Sequence, residues 1–146
     1  MIKRVILGCD HAGFQLKQRI KEVLTAQGME VIDKGAFSEE SVDYPDFAHA
    51  VASRVSADNE ALGVLVCGSG NGVNITANKH PGIRAALAWN AKVATLAREH
   101  NNANVVSLPA RFISPEDGVR IVQAFLEAVF EGGRHERRVQ KINHVH

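Results

Sequence analysis

The sequence is poor in cysteine and has no long hydrophobic run. Its two cysteines, Cys9 and Cys67, stand alone among 146 residues, too few and too isolated for a disulfide framework. The apolar run over residues 2–7 meets Cys-Asp-His at position 9, so it is too short for a signal sequence or a membrane span. These features predict a cytoplasmic protein in a reducing compartment, without membrane association.

The chain also lacks an excess of charge. Seventeen Lys and Arg against sixteen Asp and Glu leave a net charge of +1, so no global field would hold nucleic acid or anionic lipid. An anionic ligand must therefore be recognised by a local cluster. With 45% hydrophobic and 23% charged residues, disorder is excluded and a single globular domain over residues 1–146 is predicted.

Short β-branched runs alternate with longer amphipathic stretches. Strands are predicted at residues 2–7, 30–33, 62–66, 83–88 and 104–108. Most of these runs are continuously apolar, which is typical of strands buried on both faces. The pattern predicts a three-layer α/β/α sandwich around a Rossmann-like five-stranded parallel sheet. Such folds place their sites at the carboxyl ends of the strands.

Cap residues mark several of the predicted helices. Helical patterns cover residues 16–24, 43–55, 90–99 and 114–129, with a further helix beginning near 71 and a basic segment at 134–142. Gly28 is predicted to follow the first helix in a left-handed conformation. Ser114, followed by Pro115, is predicted to cap the fifth.

The most informative motif is the loop after the third strand, Cys67-Gly-Ser-Gly-Asn-Gly72. Its alternating glycines let the backbone approach a ligand closely with amide N–H groups exposed, and a helix N-terminus follows. These groups, with the hydroxyl of Ser69, would stabilise a thiolate at Cys67. The alternative is a tight strand-to-helix turn preceded by a structural cysteine.

Spacing excludes other glycine-loop sites. The loop lacks the lysine of a phosphate-binding P-loop, and Val73 stands where a dinucleotide fingerprint needs its third glycine. The arginine of a tyrosine-phosphatase loop and the G-x-S-x-G of a serine nucleophile elbow are also missing. A zinc site from Cys9, His11, Cys67 and His100 lacks the usual paired spacing. No metal is therefore predicted.

Three polar residues near predicted helix ends are candidates with plainer alternatives. Asp10 is a ligand-binding residue or simply a cap of the first helix. His11, at a helix N-terminus, would be neutral and able to donate to an anion. His100 ends a helix, where the dipole suits a charged imidazole acting as a general acid; the alternative is a solvated cap histidine.

The basic C-terminal segment supplies candidates for phosphate binding. Arg134 and Arg138 are four residues apart and share one helical face. Two guanidinium groups so placed suit a phosphate monoester, and Arg111 is a possible third. The alternative is a solvated basic tail.

In combination, these motifs resemble the ribose-5-phosphate isomerase B family, also called the ribose/galactose isomerase family. The resemblance follows one order along nearly the whole chain: Gly8–Phe14, Asp43–Asp46, Cys67–Gly72, Ala77–Lys79, Gly82–Arg84, His100-Asn101, Asn104-Val105, Glu131–His135 and Arg138. It implies an aldose–ketose isomerase without cofactor or metal, which interconverts ribose 5-phosphate and ribulose 5-phosphate.

The resemblance also implies residue roles. Cys67 would move the proton between C2 and C1, and His100 would open the sugar ring. The remaining site residues would bind substrate: Gly68, Ser69, Gly70, Asn71 and Gly72 the enediolate, Asp10 and Asn101 the hydroxyls, Tyr44 the sugar, and His11, Arg111, Arg134 and Arg138 the phosphate. One family branch uses a glutamate after the loop; Val73 holds that position here, so the cysteine version fits.

Family members form dimers or tetramers whose active site is shared between subunits. The resemblance therefore implies a homo-oligomer, with residues 134–146 packing on a neighbouring subunit. Two alternatives remain open on the sequence. One is an isomerase of a six-carbon phosphosugar, such as allose 6-phosphate or galactose 6-phosphate, and the other is a phosphosugar-binding protein without catalysis.

Overall fold

The computed structural model describes residues 1–145, in which five strands alternate with helices. The strands are β1 (Arg4–Cys9), β2 (Glu30–Asp33), β3 (Ala61–Cys67), β4 (Ala85–Leu87) and β5 (Val105–Pro109). The helices are α1 (Phe14–Ala26), α2 (Tyr44–Ser56), α3 (Asn71–Ala77), α4 (Ala91–Asn101), α5 (Pro115–Glu127) and α6 (Arg134–Ile142). None of the helices in this part of the chain is long and apolar enough to cross a membrane.

All five strands are parallel, in the order β2-β1-β3-β5-β4. The chain leaves β1 toward β2 on one side and then crosses to β3 on the other, so the order of the strands reverses beside β1. Ligand sites of open parallel sheets form at such a reversal, at the carboxyl ends of the strands. The predicted three-layer parallel fold is confirmed.

Helices cover both faces of the sheet and divide the core into two clusters. Leu7 and Phe125 belong to the cluster beneath α1, α4 and α5. Ile6 and Val51 belong to the cluster beneath α2 and α3. Neighbouring residues of β1 thus serve opposite faces, as the two-residue period of a strand requires. The last helix, α6, packs on α4 outside these layers.

The predicted helix ends agree with the structure. Gly28 has φ of 82° directly after the cap of α1, and Ser114 Oγ accepts a 3.1 Å hydrogen bond from the amide of Asp117. The basic segment is indeed a helix, α6. Strand β1 continues to Cys9, beyond the end that its apolar pattern predicts. The reason is that Cys9 exchanges backbone hydrogen bonds with Gly35 and Ala36 in the segment after β2.

A buried lysine that the sequence pattern does not reveal ties α1 to the sheet. The side chain of Lys17 is 1% exposed, and its Nζ lies 2.7 Å from Asp33 Oδ1 and 2.5 Å from the carbonyl oxygen of Ala36. Lys21 adds a 3.2 Å ion pair to Asp33 from the surface. Burial raises the pKa of Asp33, but the hydrogen bonds from Lys17 and the amide of Gly35 outweigh it and hold this pKa below its usual value.

Substituting each lysine in turn distinguishes the stability contributed by the buried ion pair from that contributed by the exposed one. We expect Lys17→Met to lower the free energy of unfolding by about 3 kcal/mol, because Asp33 and the Ala36 carbonyl lose a buried partner. Lys21→Met removes a partner whose side chain is 43% exposed and should cost less than about 1 kcal/mol. Urea denaturation measures both, and equal losses would contradict the assignment.

The contribution of Asp33 to the free energy of unfolding should also depend on pH. Its pKa is lower in the folded than in the unfolded chain, so ionised Asp33 stabilises the fold above the unfolded value of about 3.9. That stability is lost as the pH falls through the folded-state pKa. The difference in unfolding free energy between wild type and Lys17→Met should therefore shrink in acid, as denaturation at successive pH values would show.

Candidate active site

Cys67 lies at the carboxyl edge of the sheet, between the ends of two neighbouring strands. It is the last residue of β3 and pairs with Pro109 at the end of β5, while Val66 beside it pairs with Cys9 of β1. Cys67 is 5% exposed and Cys9 is fully buried. Cys67 thus stands at the strand reversal, where the fold favours a ligand site.

The loop after Cys67 needs its glycines for local packing as well as for access. Gly70 has φ of 79°, a left-handed conformation, and a Cβ there would lie 2.5 Å from Leu87 Cδ1. A Cβ on Gly72 would overlap the ring of Tyr44. Ser69 Oγ accepts a 3.2 Å hydrogen bond from the amide of Asn71, which leaves the hydroxyl proton of Ser69 available to a second partner.

A cation and an aromatic ring flank this loop. A Cβ on Gly68 would lie 3.1 Å from Nη1 of Arg111, whose amide donates a 3.0 Å hydrogen bond to the carbonyl of Gly68. The ring of Tyr44, 40% exposed, covers Gly72 from the start of α2. The backbone of the loop therefore lies close to one guanidinium group.

Asp10 and His11 follow β1 at the same edge. Asp10 is 8% exposed, and its Oδ1 accepts a 3.1 Å hydrogen bond from the amide of Gly13. The N-cap of α1 is Gly13 itself, so Asp10 stabilises the turn before the helix instead of capping it. His11 Nδ1 accepts from the amide of Val42 at 3.2 Å, which assigns the proton of a neutral ring to Nε2, a donor suited to an anion.

The other predicted site residues lie at the opposite edge of the sheet. Helix α4 starts after β4 and runs back to the amino ends of the strands, where it ends in His100 and Asn101. Helix α6 packs on it, and a cavity of about 350 Å³ is lined there by His100, Asn101, His135, Arg138, Val139 and Ile142. Arg134 is exposed at the start of α6.

One chain therefore holds two separate halves of the predicted site. The length of β5, four residue steps of about 3.3 Å, or about 13 Å, separates the edge that bears Cys67 from the edge that bears His100. Within one chain these two groups of predicted site residues do not come together. The cysteine–histidine zinc set considered above is not assembled either, since His100 lies away from Cys9, His11 and Cys67.

Two residues without a predicted role, Glu131 and His135, lie beside His100. Glu131 Oε1 lies 3.6 Å from His100 Nε2 and 3.4 Å from His135 Nε2. The rings of His100 and His135 are stacked, with centroids 4.2 Å apart and planes inclined by 14°. Glu131 precedes α6, and Gly132 and Gly133 after it have positive φ, so helical spacing does not account for its contact with His135. The approach of His100 comes from the packing of α6 on α4.

Two other histidines lie close together elsewhere on the chain, His49 exposed and His80 half-buried. His49 Nδ1 and His80 Nε2 lie 2.7 Å apart and connect α2 to the segment after α3. A larger cavity, about 810 Å³, opens near this segment at the amino end of β4 and is lined by residues 78–86 together with Asn101, Ala103 and the C-terminal residues Ile142, Asn143 and Val145. It does not reach Cys67.

The family model for ribose/galactose isomerases matches residues 5–142. The chain belongs to the ribose/galactose isomerase family. The ribose-5-phosphate isomerase B of Escherichia coli is 44% identical over 144 residues, which cover 99% of this chain and 97% of that protein. The ribose-5-phosphate isomerase B of Mycobacterium tuberculosis is 48% identical over 138 residues, or 93% of this chain and 85% of that one.

Solved structures of family members superpose closely on this chain. A ribose 5-phosphate isomerase from Thermotoga maritima has a TM-score of 0.95 at 48% identity, with 97% of this chain and 98% of that chain covered. The Mycoplasma genitalium enzyme, solved with bound ribulose-5-phosphate, has a TM-score of 0.92 at 44% identity, with 96% and 93% covered. The likeness therefore extends over nearly the whole chain.

The two cysteines should differ in reactivity. Burial raises the pKa of Cys9 to about 11, so near neutral pH this fully buried residue stays an unreactive thiol. Cys67, 5% exposed, borders a loop that reaches the surface at Asn71. We expect iodoacetamide at pH 7.5 to alkylate Cys67 in the native protein and leave Cys9 unmodified, as peptide mass spectrometry would show. Both should react after denaturation, and native modification of Cys9 at the rate of Cys67 would refute the difference.

Proposed function

We propose that this chain is a ribose-5-phosphate isomerase that interconverts ribose 5-phosphate and ribulose 5-phosphate in the cytoplasm, as part of the pentose phosphate pathway. The observation that carries the proposal is the position of Cys67, at the strand reversal and directly before a glycine loop flanked by Arg111. The family membership of the chain and the ribulose-5-phosphate held by its Mycoplasma genitalium relative support the substrate.

Cys67 serves as the base in this proposal. Its thiolate removes the proton from C2 of the open-chain aldose, and the C–H electron pair forms the C1–C2 double bond of an enediolate. The π pair of the C1 carbonyl passes to its oxygen. Return of the proton to C1, with transfer of the C2 hydroxyl proton to the C1 oxygen, then forms the carbonyl at C2 and gives the ketose. Backbone N–H groups of the loop over residues 68–72 stabilise the charge that develops on the enediolate oxygen, and Ser69 donates to the thiolate or to that oxygen.

The phosphate and hydroxyl groups are bound from both halves of the site. His11 Nε2–H and Arg111 belong to the half that contains Cys67, and Arg134 and Arg138 belong to the other half. Guanidinium groups match a phosphate monoester with paired hydrogen bonds. In the same proposal Asp10 and Asn101 bind sugar hydroxyls, and the exposed ring of Tyr44 lines the pocket.

A second subunit completes the site. His100, the proposed acid for ring opening, lies at the amino edge of its own sheet and cannot reach a sugar bound at Cys67 of the same chain. A two-fold symmetric dimer in which the amino edge of one protomer faces the carboxyl edge of its partner would bring both halves together twice. We therefore propose a homodimer with α6 and the residues after it at the interface.

Removal of the thiol tests the chemistry. We expect Cys67→Ala to lower kcat at least about a thousand-fold, because the base is lost, while binding of ribose 5-phosphate measured by calorimetry persists. Cys9→Ala is the matched control and should retain near wild-type kcat. Exchange of solvent deuterium into the sugar at C1 and C2 should disappear with Cys67→Ala, and exchange at the wild-type rate would end the assignment of the base.

Mixing two inactive variants tests the shared site. Random dimers of Cys67→Ala and His100→Asn chains should recover about a quarter of wild-type activity, because half of the dimers are mixed and each carries one intact site of two. The subunits are exchanged by unfolding and refolding, and turnover is compared with unmixed samples. Cys67→Ala mixed with Cys67→Ser is the control without recovery. A mixture as inactive as its parents would mean that both residues act within one chain.

A further inference from the structure

The cluster of Glu131, His135 and His100 has the composition and spacing of a metal-ligand set. Glu131 Oε1 is 3.6 Å from His100 Nε2 and 3.4 Å from His135 Nε2, and one ligand atom from each residue lies within 4.8 Å of the other two. In a tetrahedral zinc site with bonds of about 2.0–2.1 Å, neighbouring ligand atoms are about 3.4 Å apart. The two nitrogen–oxygen distances already match this spacing.

The backbone holds two of these side chains in place. His135, 7% exposed, is on the buried face of α6, and its amide donates a 3.0 Å hydrogen bond to the carbonyl of Gly132. The amide of Glu131 donates a 3.0 Å bond to the carbonyl of Glu99 on α4. The ligand atoms thus come from two elements that are fixed to each other, which reduces the ordering cost of binding.

The third ligand has room to adjust. The rings are stacked with planes inclined by 14°, so a shared ion requires the ring of His100 to tilt toward His135. The side chain of His100 is 36% exposed and borders the 350 Å³ cavity at this edge. That cavity leaves the fourth coordination position open to water or to an anion, as in three-ligand zinc sites. Arg138 lines the same cavity and favours an anion there.

We propose that His100, Glu131 and His135 form a binding site for a divalent transition ion of the zinc class. Two imidazoles and one carboxylate suit Zn²⁺ and Co²⁺ and are poor ligands for Mg²⁺ or Ca²⁺, which prefer oxygen. The ion binds the lone pair of a ring nitrogen of His100, so that nitrogen can no longer transfer a proton. It would therefore act as a reversible inhibitor of the isomerase; this consequence, unlike the binding itself, rests on the proposed function.

Titration of the metal-free protein with Zn²⁺ by calorimetry, and with Co²⁺ by visible absorption, tests the site. We expect one ion per chain and a cobalt spectrum without a thiolate charge-transfer band. Glu131→Gln changes an exposed side chain, so its fold should be unaffected, and we expect it to weaken zinc binding at least about ten-fold. His135→Asn should do the same, with circular dichroism to check its fold.

The pair of His49 and His80 provides the matched control. The double variant His49→Asn, His80→Asn removes two close imidazoles at another place and should bind zinc like the wild type. Unchanged zinc affinity in Glu131→Gln, loss of binding in the double variant, or a thiolate band with Co²⁺ would each overturn the proposal. Zinc inhibition of turnover should weaken in parallel with zinc binding in Glu131→Gln. If the chain had no isomerase activity, the measured zinc binding would still test the metal site.

Discussion

The parallel orientation of the five strands is the constraint on which the rest of this structure depends. Parallel strands bring all their carboxyl ends to one edge, and each helix must return the chain to the other edge before the next strand. A residue that ends a strand and a residue that ends a returning helix are therefore kept a full strand length apart. Cys67 ends β3 and His100 lies at the end of α4, so the fold itself separates the two groups proposed to act on one sugar.

Because of this separation, the second half of the proposed site depends on the C-terminal helix α6. Helix α6 adds no strand to the sheet and packs on α4 at the amino edge, where it brings Arg138 and His135 beside His100. Each protomer thus has a half with a thiol and backbone amides and a half with imidazoles and guanidinium groups. Two such unlike surfaces on opposite edges would complement each other in the proposed symmetric dimer, which is why the catalytic proposal and the assembly proposal depend on each other.

The carboxyl edge is built with little freedom for its residues to move. Lys17 fixes the segment after β2 from below through Asp33 and Ala36, and the amide of Val42 fixes His11. The glycines of the loop have no space for a side chain against Leu87 or Tyr44. In the proposed reaction such a framework would hold donors where charge develops, without the need to reorganise them at each turnover.

Much of this could be predicted from the sequence, because strand and helix periodicity, caps and turn residues are local signals. The alternation of elements, the caps at Gly28 and Ser114, and the placing of the Cys67 loop after a buried strand follow from short stretches of chain. The strand order, the buried ion pair of Lys17 and the contact of His100 with Glu131 and His135 were decided by the tertiary structure alone. Each of these joins residues far apart in the sequence, and their distance depends on how whole elements pack rather than on any local pattern.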